Sequence, residues 1–241
     1  MRLTDQAQNP PGPPTRLMAP VRVPLPVWRW GVLDSFLAAL CNGPSASFLS
    51  AFAVELGAGG GILGLLLALN TFLANGLQLH GAAWARRGSS IRRVYGAAIV
   101  ARGTWLVAGT VPSVIYAADY PTAALSTFIG LLGLSSIASA AANPAMGARA
   151  STAGGEAGRT RYLADRAIAT WVGILVGTAG MTALLGLIPG VWGYAVGFVV
   201  AALAGLGGLR AYAGLVATDR RLAAERRAAV SETAPFPEPL S

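Results

Sequence analysis

The sequence predicts an all-α membrane protein with six transmembrane helices. Three observations lead to this prediction. Of the 241 residues, 54% are hydrophobic and only 12% are charged, whereas soluble domains carry about 25% charged residues. Six apolar runs reach the length of about 20 residues that a helix needs to cross the hydrocarbon core. The arginines that flank these runs fall in alternate connections, as expected when successive helices cross in opposite directions.

The chain divides into three regions. Residues 1–27 contain seven prolines and lack an early apolar core, so they do not match a cleavable signal peptide, and we expect a disordered cytoplasmic tail. Residues 28–216 form the predicted transmembrane domain. Residues 217–241 form a polar cytoplasmic tail whose first part continues the sixth helix. The predicted spans are residues 30–54, 61–84, 94–117, 122–146, 167–188 and 191–209.

The charge of the connections predicts the orientation of the six spans. The connections after the first, third and fifth spans contain Glu55, Asp119 and Pro189 but no arginine. The other connections and both termini hold the arginine clusters, and positive residues mark the cytoplasmic side. Both termini are therefore predicted to be cytoplasmic, in a multi-pass protein of the inner or plasma membrane. The connections before the third and fifth spans carry Arg86, Arg87, Arg92, Arg93, Arg149, Arg159, Arg161 and Arg166.

Composition also argues against several functions. The chain has one cysteine, Cys41, and one histidine, His80, so no internal disulfide or cysteine-based metal site is expected. The sequence has no P-loop and no pair of intramembrane carboxylates. We therefore predict no enzyme activity, no catalytic residue, no cofactor and no metal. The net charge of +8 comes from arginines beside apolar runs, which favours the lipid bilayer, and not a nucleic acid, as the partner.

Three motifs resemble the N-terminal half of a major facilitator superfamily transporter. Residues 55–58 and 61–67 (ELGA and GILGLLL) resemble the first external loop and the second helix of that family. Residues 81–93 (GAAWARRGSSIRR) are similar to its loop motif between helices two and three. Residues 143–145 with 158–162 resemble its passage from helix four into helix five. The residues of the loop motif are Gly81, Arg86, Arg87 and Gly88.

The resemblance implies a fold and a function. Six helices would form two inverted three-helix repeats, and two such units would build a pathway for a small solute. The chain would then be a half-length secondary transporter that works as a homodimer or with a second six-helix half. In the loop motif, Ala85 stands where the family has an aspartate, and Ser89 stands where it has a basic residue. These departures favour the alternative, a non-transporting membrane scaffold or interaction protein, or a truncated transporter remnant.

The first span contains a candidate for the transport pathway. Asn42, Gly43 and Pro44 fall near its middle, and the proline removes the N–H donor from the carbonyl of Leu40. Broken helices near the bilayer midplane often form substrate or ion sites in transporters. The alternative is a kink that serves packing alone, because neighbouring helices can satisfy the freed groups.

The second and fourth spans each gather polar side chains on one face, when laid on a helix at about 100° per residue. Such a face either lines a solute cavity or holds helices together through hydrogen bonds worth roughly 0.6 kcal/mol each. We therefore regard these residues as pathway candidates with a packing alternative. They are Asn70, Asn75 and Gln78 in the second span, and Ser135, Ser139 and Asn143 in the fourth.

Arg102 is the one arginine well inside a predicted span. An ionisable group at this depth suggests a function and calls for a partner of opposite charge. The carboxylates available to it are Asp34, near the cytoplasmic end of the first span, and Asp165, at the start of the fifth. If Arg102 is paired, we expect a structural clamp rather than an anion site. The alternative is a side chain that extends toward the headgroups.

The fifth and sixth spans carry glycines at intervals of three or four residues. Small residues with this spacing allow two helix backbones to approach closely in a membrane. We expect both helices to pack tightly on their neighbours. The glycines concerned are Gly173, Gly177, Gly180, Gly193 and Gly197.

Overall fold

The structure, a computed structural model, describes residues 24–77, 80, 83, 91–152 and 158–233. Every regular element within these residues is an α-helix, and no strand occurs among them. We number the helices in chain order. They are α1 (Leu25–Ser47), α2 (Leu49–Glu55), α3 (Gly60–Gly76), α4 (Ile91–Ala117), α5 (Pro121–Thr152), α6 (Arg159–Leu187) and α7 (Val191–Thr233).

Four of these helices, α4 to α7, are long and apolar enough to cross a membrane. Helices α1 and α2 form a fifth candidate if the bent pair is a single span. These apolar helices indicate a multi-pass membrane protein, in agreement with the predicted all-α class. The described residues do not reach the predicted count of six spans. Helix α3 is a shorter apolar helix, and most of the predicted second span beyond residue 77 lies outside the described residues.

The first predicted span is bent, but the bend does not fall at the proline. Helix α1 continues through Pro44 and meets α2 at Phe48 with a bend of 44°. The amide of Phe48 still donates to the Pro44 carbonyl at 3.0 Å. The Leu40 carbonyl, which loses its N–H donor to the proline, faces Gly177 of α6. Close packing against α6 surrounds this carbonyl, and the helix bends one turn later.

Helices α6 and α7 are longer than the apolar runs that predict them. Helix α6 begins at Arg159, before the predicted start at residue 167, and α7 continues past residue 209 to Thr233. The length of an apolar run gives only the part of a helix that can lie in the hydrocarbon core of the membrane. Backbone hydrogen bonds continue through polar residues as well, so α7 extends into the region predicted as the C-terminal tail.

Helix α1 occupies a central position in the bundle. It packs against α6 and α7, while α4 packs against α5 and α7, and α3 packs against α5. Contacts between α1 and α6 advance together along both chains, from Gly31 beside Tyr162 to Pro44 beside Gly177. These two helices therefore run parallel to each other.

Helix α7 runs antiparallel to both α1 and α4. Residues near the start of α1 or α4 contact residues late in α7. Residues further along α1 or α4 contact residues earlier in α7. Helices α1 and α4 therefore point in the same direction. The contacts that establish this are Trp30 with Gly214 and Cys41 with Gly205 for α1, and Tyr95 with Leu209 and Gly109 with Ala195 for α4.

Glycines allow α1 and α6 to approach closely. A Cβ atom placed on Gly173 of α6 would lie 2.5 Å from the carbonyl oxygen of Phe36, and one on Gly177 would lie 2.9 Å from that of Leu40. Both distances are shorter than a van der Waals contact, so this separation of the helices requires glycine. Gly180, further along α6, has no atom within 4 Å of such a Cβ. The close contact thus involves the first two of the three predicted glycines.

Two apolar clusters fill the interior of the described helices. One surrounds Phe52 of α2, whose ring lies 4.9 Å from that of Phe128 between centroids. The other lies nearer the start of α1 and α4 and includes Val27 and Tyr212. Along α4, Arg102 falls between the residues of the two clusters. A polar layer therefore separates two apolar ones.

Gly173→Ala is expected to push α1 and α6 apart, because the new methyl group would overlap the Phe36 carbonyl. Overpacking of this kind costs about 2 kcal/mol. Gly180→Ala is the matched control, since both changes gain the same helix propensity and only Gly173 lies in the contact. We expect the free energy of unfolding in detergent to be about 2 kcal/mol lower for Gly173→Ala than for Gly180→Ala. Equal stability of the two variants would contradict the close contact.

Candidate functional site

A buried charge network lies between the two apolar clusters. It joins Asp34 of α1, Arg102 of α4 and Arg166 of α6. Each of these residues lies roughly 10 to 17 Å along its helix from the first helical residue, at 1.5 Å per residue. All three are therefore held by the helix interior and not by a fraying end.

Asp34 is shared by the two arginines. Its Oδ1 lies 3.8 Å from Nη2 of Arg102, and its Oδ2 lies 3.8 Å from Nη2 of Arg166. The side chains are 7%, 14% and 17% exposed for Asp34, Arg102 and Arg166, so water screens these charges weakly. Taking an ion out of water costs several kcal/mol, and one carboxylate offsets part of that cost for both arginines. One negative and two positive charges leave this layer with a net positive charge.

Both arginines also donate hydrogen bonds. Nη1 of Arg102 donates to the Gly205 carbonyl of α7 at 2.6 Å. Nε of Arg166 donates to Oγ of Ser35 at 2.8 Å, and the Ser35 hydroxyl donates in turn to the Gly31 carbonyl at 3.0 Å. Four helices, α1, α4, α6 and α7, are therefore connected through a single carboxylate.

Small residues on α7 and an aromatic ring on α6 shape the space around the arginines. A Cβ atom on Gly205 would lie 3.3 Å from Cδ of Arg102, and one on Gly208 would lie 2.9 Å from its Nη1. The guanidinium carbon of Arg166 lies 5.7 Å from the centre of the Tyr162 ring, within the range of a cation–π interaction. The two glycines leave space for the Arg102 side chain beside α7.

The chemistry of the network suits binding and positioning. Arginine stays protonated in proteins, so the carboxylate of Asp34 is the one group of this triad that can exchange a proton. Among the described residues, no group of three or more His, Cys, Asp or Glu side chains is placed to hold a metal ion. Asp34 Oδ1 and the Tyr162 hydroxyl are buried and have no hydrogen-bond partner within the described part of the chain. The layer can thus fix four helices through charged and hydrogen-bonded contacts.

The sequence offers two possible partners for Arg102, and in the structure Arg102 pairs with one of them, Asp34. Arg102 turns into the layer and does not extend along the helix surface. Asp165, the other carboxylate considered, instead accepts a hydrogen bond from Nε1 of Trp28 at 2.8 Å. This bond joins α6 to α1 one residue before Arg166 and involves none of the three residues of the charge network.

Arg166 requires a correction. From the sequence it is expected in the connection before the fifth span, as a cytoplasmic loop residue. The structure places it inside α6, because that helix begins at Arg159 and carries Arg166 into the buried layer. Asp34 signals that opposite charge is needed nearby, because a carboxylate inside an apolar run calls for a partner, but it does not single out Arg166 among the arginines.

The first predicted pathway segment contributes mainly to packing. Gly43 and Pro44 are buried, and a Cβ atom on Gly43 would lie 2.8 Å from the Ile174 carbonyl oxygen of α6. Asn42 is exposed. Of these three residues, Asn42 alone presents its side chain at the surface of the described helices.

Two other pathway candidates connect helices. Oγ of Ser136 donates to Oδ1 of Asn70 at 2.6 Å, which joins α5 to α3. Oγ of Ser135 donates to the Ala101 carbonyl at 2.8 Å, which joins α5 to α4. The packing alternative therefore describes the observed contacts of Asn70 and Ser135.

The remaining candidates divide between exposed positions and residues outside the described part of the chain. Asn75 and Asn143 are exposed, and Ser139 is partly buried. Asn75 and Asn143 therefore lie at the surface of α3 and α5. Outside the described residues lie Gln78 and the loop motif with Gly81, Arg86, Arg87 and Gly88.

No family model, no curated protein and no solved structure matches the chain significantly. The resemblance to the major facilitator superfamily therefore stays a prediction from the sequence motifs. The function of the buried network and of the exposed carboxamides has to be inferred from their own geometry.

Asp34→Asn is expected to destabilise the helix bundle strongly. The amide keeps the shape of the side chain but removes the negative charge that two buried arginines share. Loss of one partner from a buried ion pair costs about 3 kcal/mol, and we expect the free energy of unfolding in detergent to fall by about that amount. Asp165→Asn is the matched control, because its amide oxygen can still accept the Trp28 hydrogen bond, and we expect a loss below about 1 kcal/mol.

A double-mutant cycle tests whether the charges interact. Asp34→Asn combined with Arg166→Gln removes both members of one pair, so it should cost clearly less than the sum of the two single changes. Simple addition of the two losses would show that Asp34 and Arg166 do not interact in the folded protein.

Proposed function

We propose that this protein is one six-helix half of a secondary transporter of the major facilitator type, which moves a small solute. Two copies of the chain, or this chain with a second six-helix unit, would enclose the pathway between them. The proposal includes six crossings, two inverted three-helix repeats, cytoplasmic termini and a place in the inner or plasma membrane. The observation that carries it is the pattern of contacts between the helices.

Three contacts of this pattern correspond when the first three helical segments are exchanged with the last three. The first segment is α1 with α2, the second is α3, and α4 to α7 are the third to sixth. The contact of α1 with α7 then corresponds to that of α5 with α4, and the contact of α1 with α6 corresponds to that of α5 with α3. The contact between α4 and α7 corresponds to itself. Two inverted three-helix repeats within a six-helix unit are expected to give this pattern.

The directions of the helices support the count of six crossings. Helices α1 and α4 point the same way, since each is antiparallel to α7. If both cross the membrane, the chain between them must return to the side on which α1 begins. Helix α3 has 17 residues, or about 25 Å at 1.5 Å per residue, and the apolar sequence of the predicted second span continues to residue 84. This segment is therefore the candidate for the return crossing.

Exposed carboxamides indicate which surface would face the pathway. Asn42 and Asn143 are exposed on the apolar helices α1 and α5. The proposed inverted repeat relates these two helices to each other. An amide transferred from water to an apolar environment without a hydrogen bond costs several kcal/mol, so both side chains favour contact with water or protein over lipid. A water-filled pathway between two halves would provide that contact.

A second candidate, a non-transporting membrane scaffold, is favoured by a different observation. Asn70 and Ser135 form hydrogen bonds between helices, and Pro44 packs against α6. All three residues are pathway candidates, and in the folded protein each of them already holds helices together. A scaffold requires that cohesion and no flux of solute, so the two candidates differ in a measurable activity.

In its self-paired form, the transporter proposal predicts a dimer and a flux that depends on the exposed carboxamides. Light scattering of the purified chain in nanodiscs, corrected for bound lipid, should give twice the chain mass of 24.5 kDa. Proteoliposomes should take up at least one solute from a panel of labelled sugars, amino acids and organic ions. Asn42→Ala or Asn143→Ala should then lower uptake by about fivefold, the effect of one lost hydrogen bond.

Thr182→Ala is the matched control for these variants. Its hydroxyl is also exposed on a candidate span, but it donates to the Thr178 carbonyl of its own helix at 3.0 Å, so we expect unchanged uptake. A stable dimer that takes up no solute of the panel would favour the scaffold. A strict monomer without uptake would exclude the self-paired transporter.

A further inference from the structure

An open groove runs between α4 and α7 on the outer surface of the bundle, apart from the charge network. Its volume is about 490 Å³. Ile99 and Val216 line its apolar part, and Arg92 and Arg220 line it as well. Among the described residues that line this groove, none is acidic. The groove thus combines apolar walls with positive charge that no lining carboxylate neutralises.

The floor of the groove is held in place by packing. The Tyr95 hydroxyl donates to the Leu209 carbonyl at 2.7 Å, which fixes its ring across the two helices. The Tyr212 side chain is 1% exposed and packs beneath the surface. Gly96 has no atom within 4 Å of an added Cβ, which leaves the space above it open. The groove is therefore a preformed feature of the α4–α7 contact.

Both arginines lie at the same end of the groove. Arg92 is in the first turn of α4, and Arg220 lies beyond the other lining residues of α7. Because α4 and α7 are antiparallel, the start of α4 lies beside the later part of α7. Ile99 is at the opposite end of the α4 side. The groove therefore has its arginines toward one end and Ile99 at the other, with Val216 one turn before Arg220.

We propose that this groove binds one anionic phospholipid, with its headgroup at the end that carries Arg92 and Arg220 and an acyl chain toward Ile99. Guanidinium groups bind phosphate oxygens through paired hydrogen bonds. Basic pockets between transmembrane helices are places where anionic headgroups bind. A zwitterionic lipid would bring its own cation to two arginines, so the groove discriminates by charge. This inference concerns a surface apart from the proposed pathway and does not require that the chain transports a solute.

A second groove provides an internal comparison. It lies between α1 and α6 and also has a volume of about 490 Å³. Arg29 and Asp165 both line it, so its formal charges balance. The two grooves therefore match in size and differ in net charge, and Arg29→Gln is a matched control for removal of an arginine beside apolar surface.

The test is native mass spectrometry of the full chain in neutral detergent, titrated with dioleoyl phosphatidylglycerol or dioleoyl phosphatidylcholine. The wild type should bind the first phosphatidylglycerol at least about tenfold more tightly than phosphatidylcholine, because each arginine near an anionic headgroup contributes about fivefold. Arg92→Gln and Arg220→Gln should each weaken phosphatidylglycerol binding by about fivefold. The double variant should bind both lipids equally. Arg29→Gln should change the affinity by less than about twofold.

A stability measurement provides an independent readout. Phosphatidylglycerol should raise the thermal unfolding midpoint of the wild type, because a ligand that binds only the folded state stabilises it, and it should not do so for the double variant. Inorganic phosphate at the same concentration should have no effect if the acyl chain contributes to binding. Equal affinity of the wild type for the two lipids, or an equal loss for Arg29→Gln and Arg92→Gln, would overturn the proposal.

Discussion

The arrangement of the described helices depends on one carboxylate that serves two buried arginines. Asp34 lies within 3.8 Å of guanidinium nitrogens from α4 and α6, and Arg102 extends the connection to α7 through the Gly205 carbonyl. An arginine without a counter-charge would be expelled toward water, because its burial is costly. The position of α1 therefore determines where three other helices can lie. Removing the carboxylate affects all of these contacts at once.

Close helix packing and an apolar aromatic cluster surround this layer, and both are less directional than its ion pairs and hydrogen bonds. In lipid, apolar side chains gain little by leaving their surroundings for one another, so helix association relies on close packing and on polar contacts. Gly173 and Gly177 supply the close packing between α1 and α6, and the aromatic cluster around Phe52 fills one end of the bundle. Such packing alone permits small rotations and shifts of a helix. The hydrogen bonds and ion pairs of the charge layer restrict them, because their atoms must meet at defined positions.

Much of the fold class could be predicted from the sequence, and much less of the site. Composition and apolar length are properties of single segments, so the four to five candidate spans coincide with up to five of the six predicted runs. The bend at Phe48 and the inclusion of Arg166 in α6 depend on contacts between segments, which apolar length does not contain. Asp34 and Arg102 could be recognised because each interrupts an apolar run. Arg166 could not, since it follows a polar segment and resembles any cytoplasmic arginine until α6 is placed beside α1.

Polar groups that form hydrogen bonds between helices have to be distinguished from polar groups that lie exposed at the surface. Asn70 and Ser135 share residue type with the exposed candidates, and a helical projection treats them alike. In the structure, however, Oδ1 of Asn70 and Oγ of Ser135 form hydrogen bonds of 2.6 and 2.8 Å to neighbouring helices. An atom engaged in this way would have to give up a contact between helices in order to bind a solute. Asn42 and Asn143 carry no such structural cost, because their side chains lie at the surface of α1 and α5. If the protein forms a pathway, its polar contacts with solute are therefore expected from these exposed carboxamides, while the charge layer keeps each half rigid as one half moves against the other.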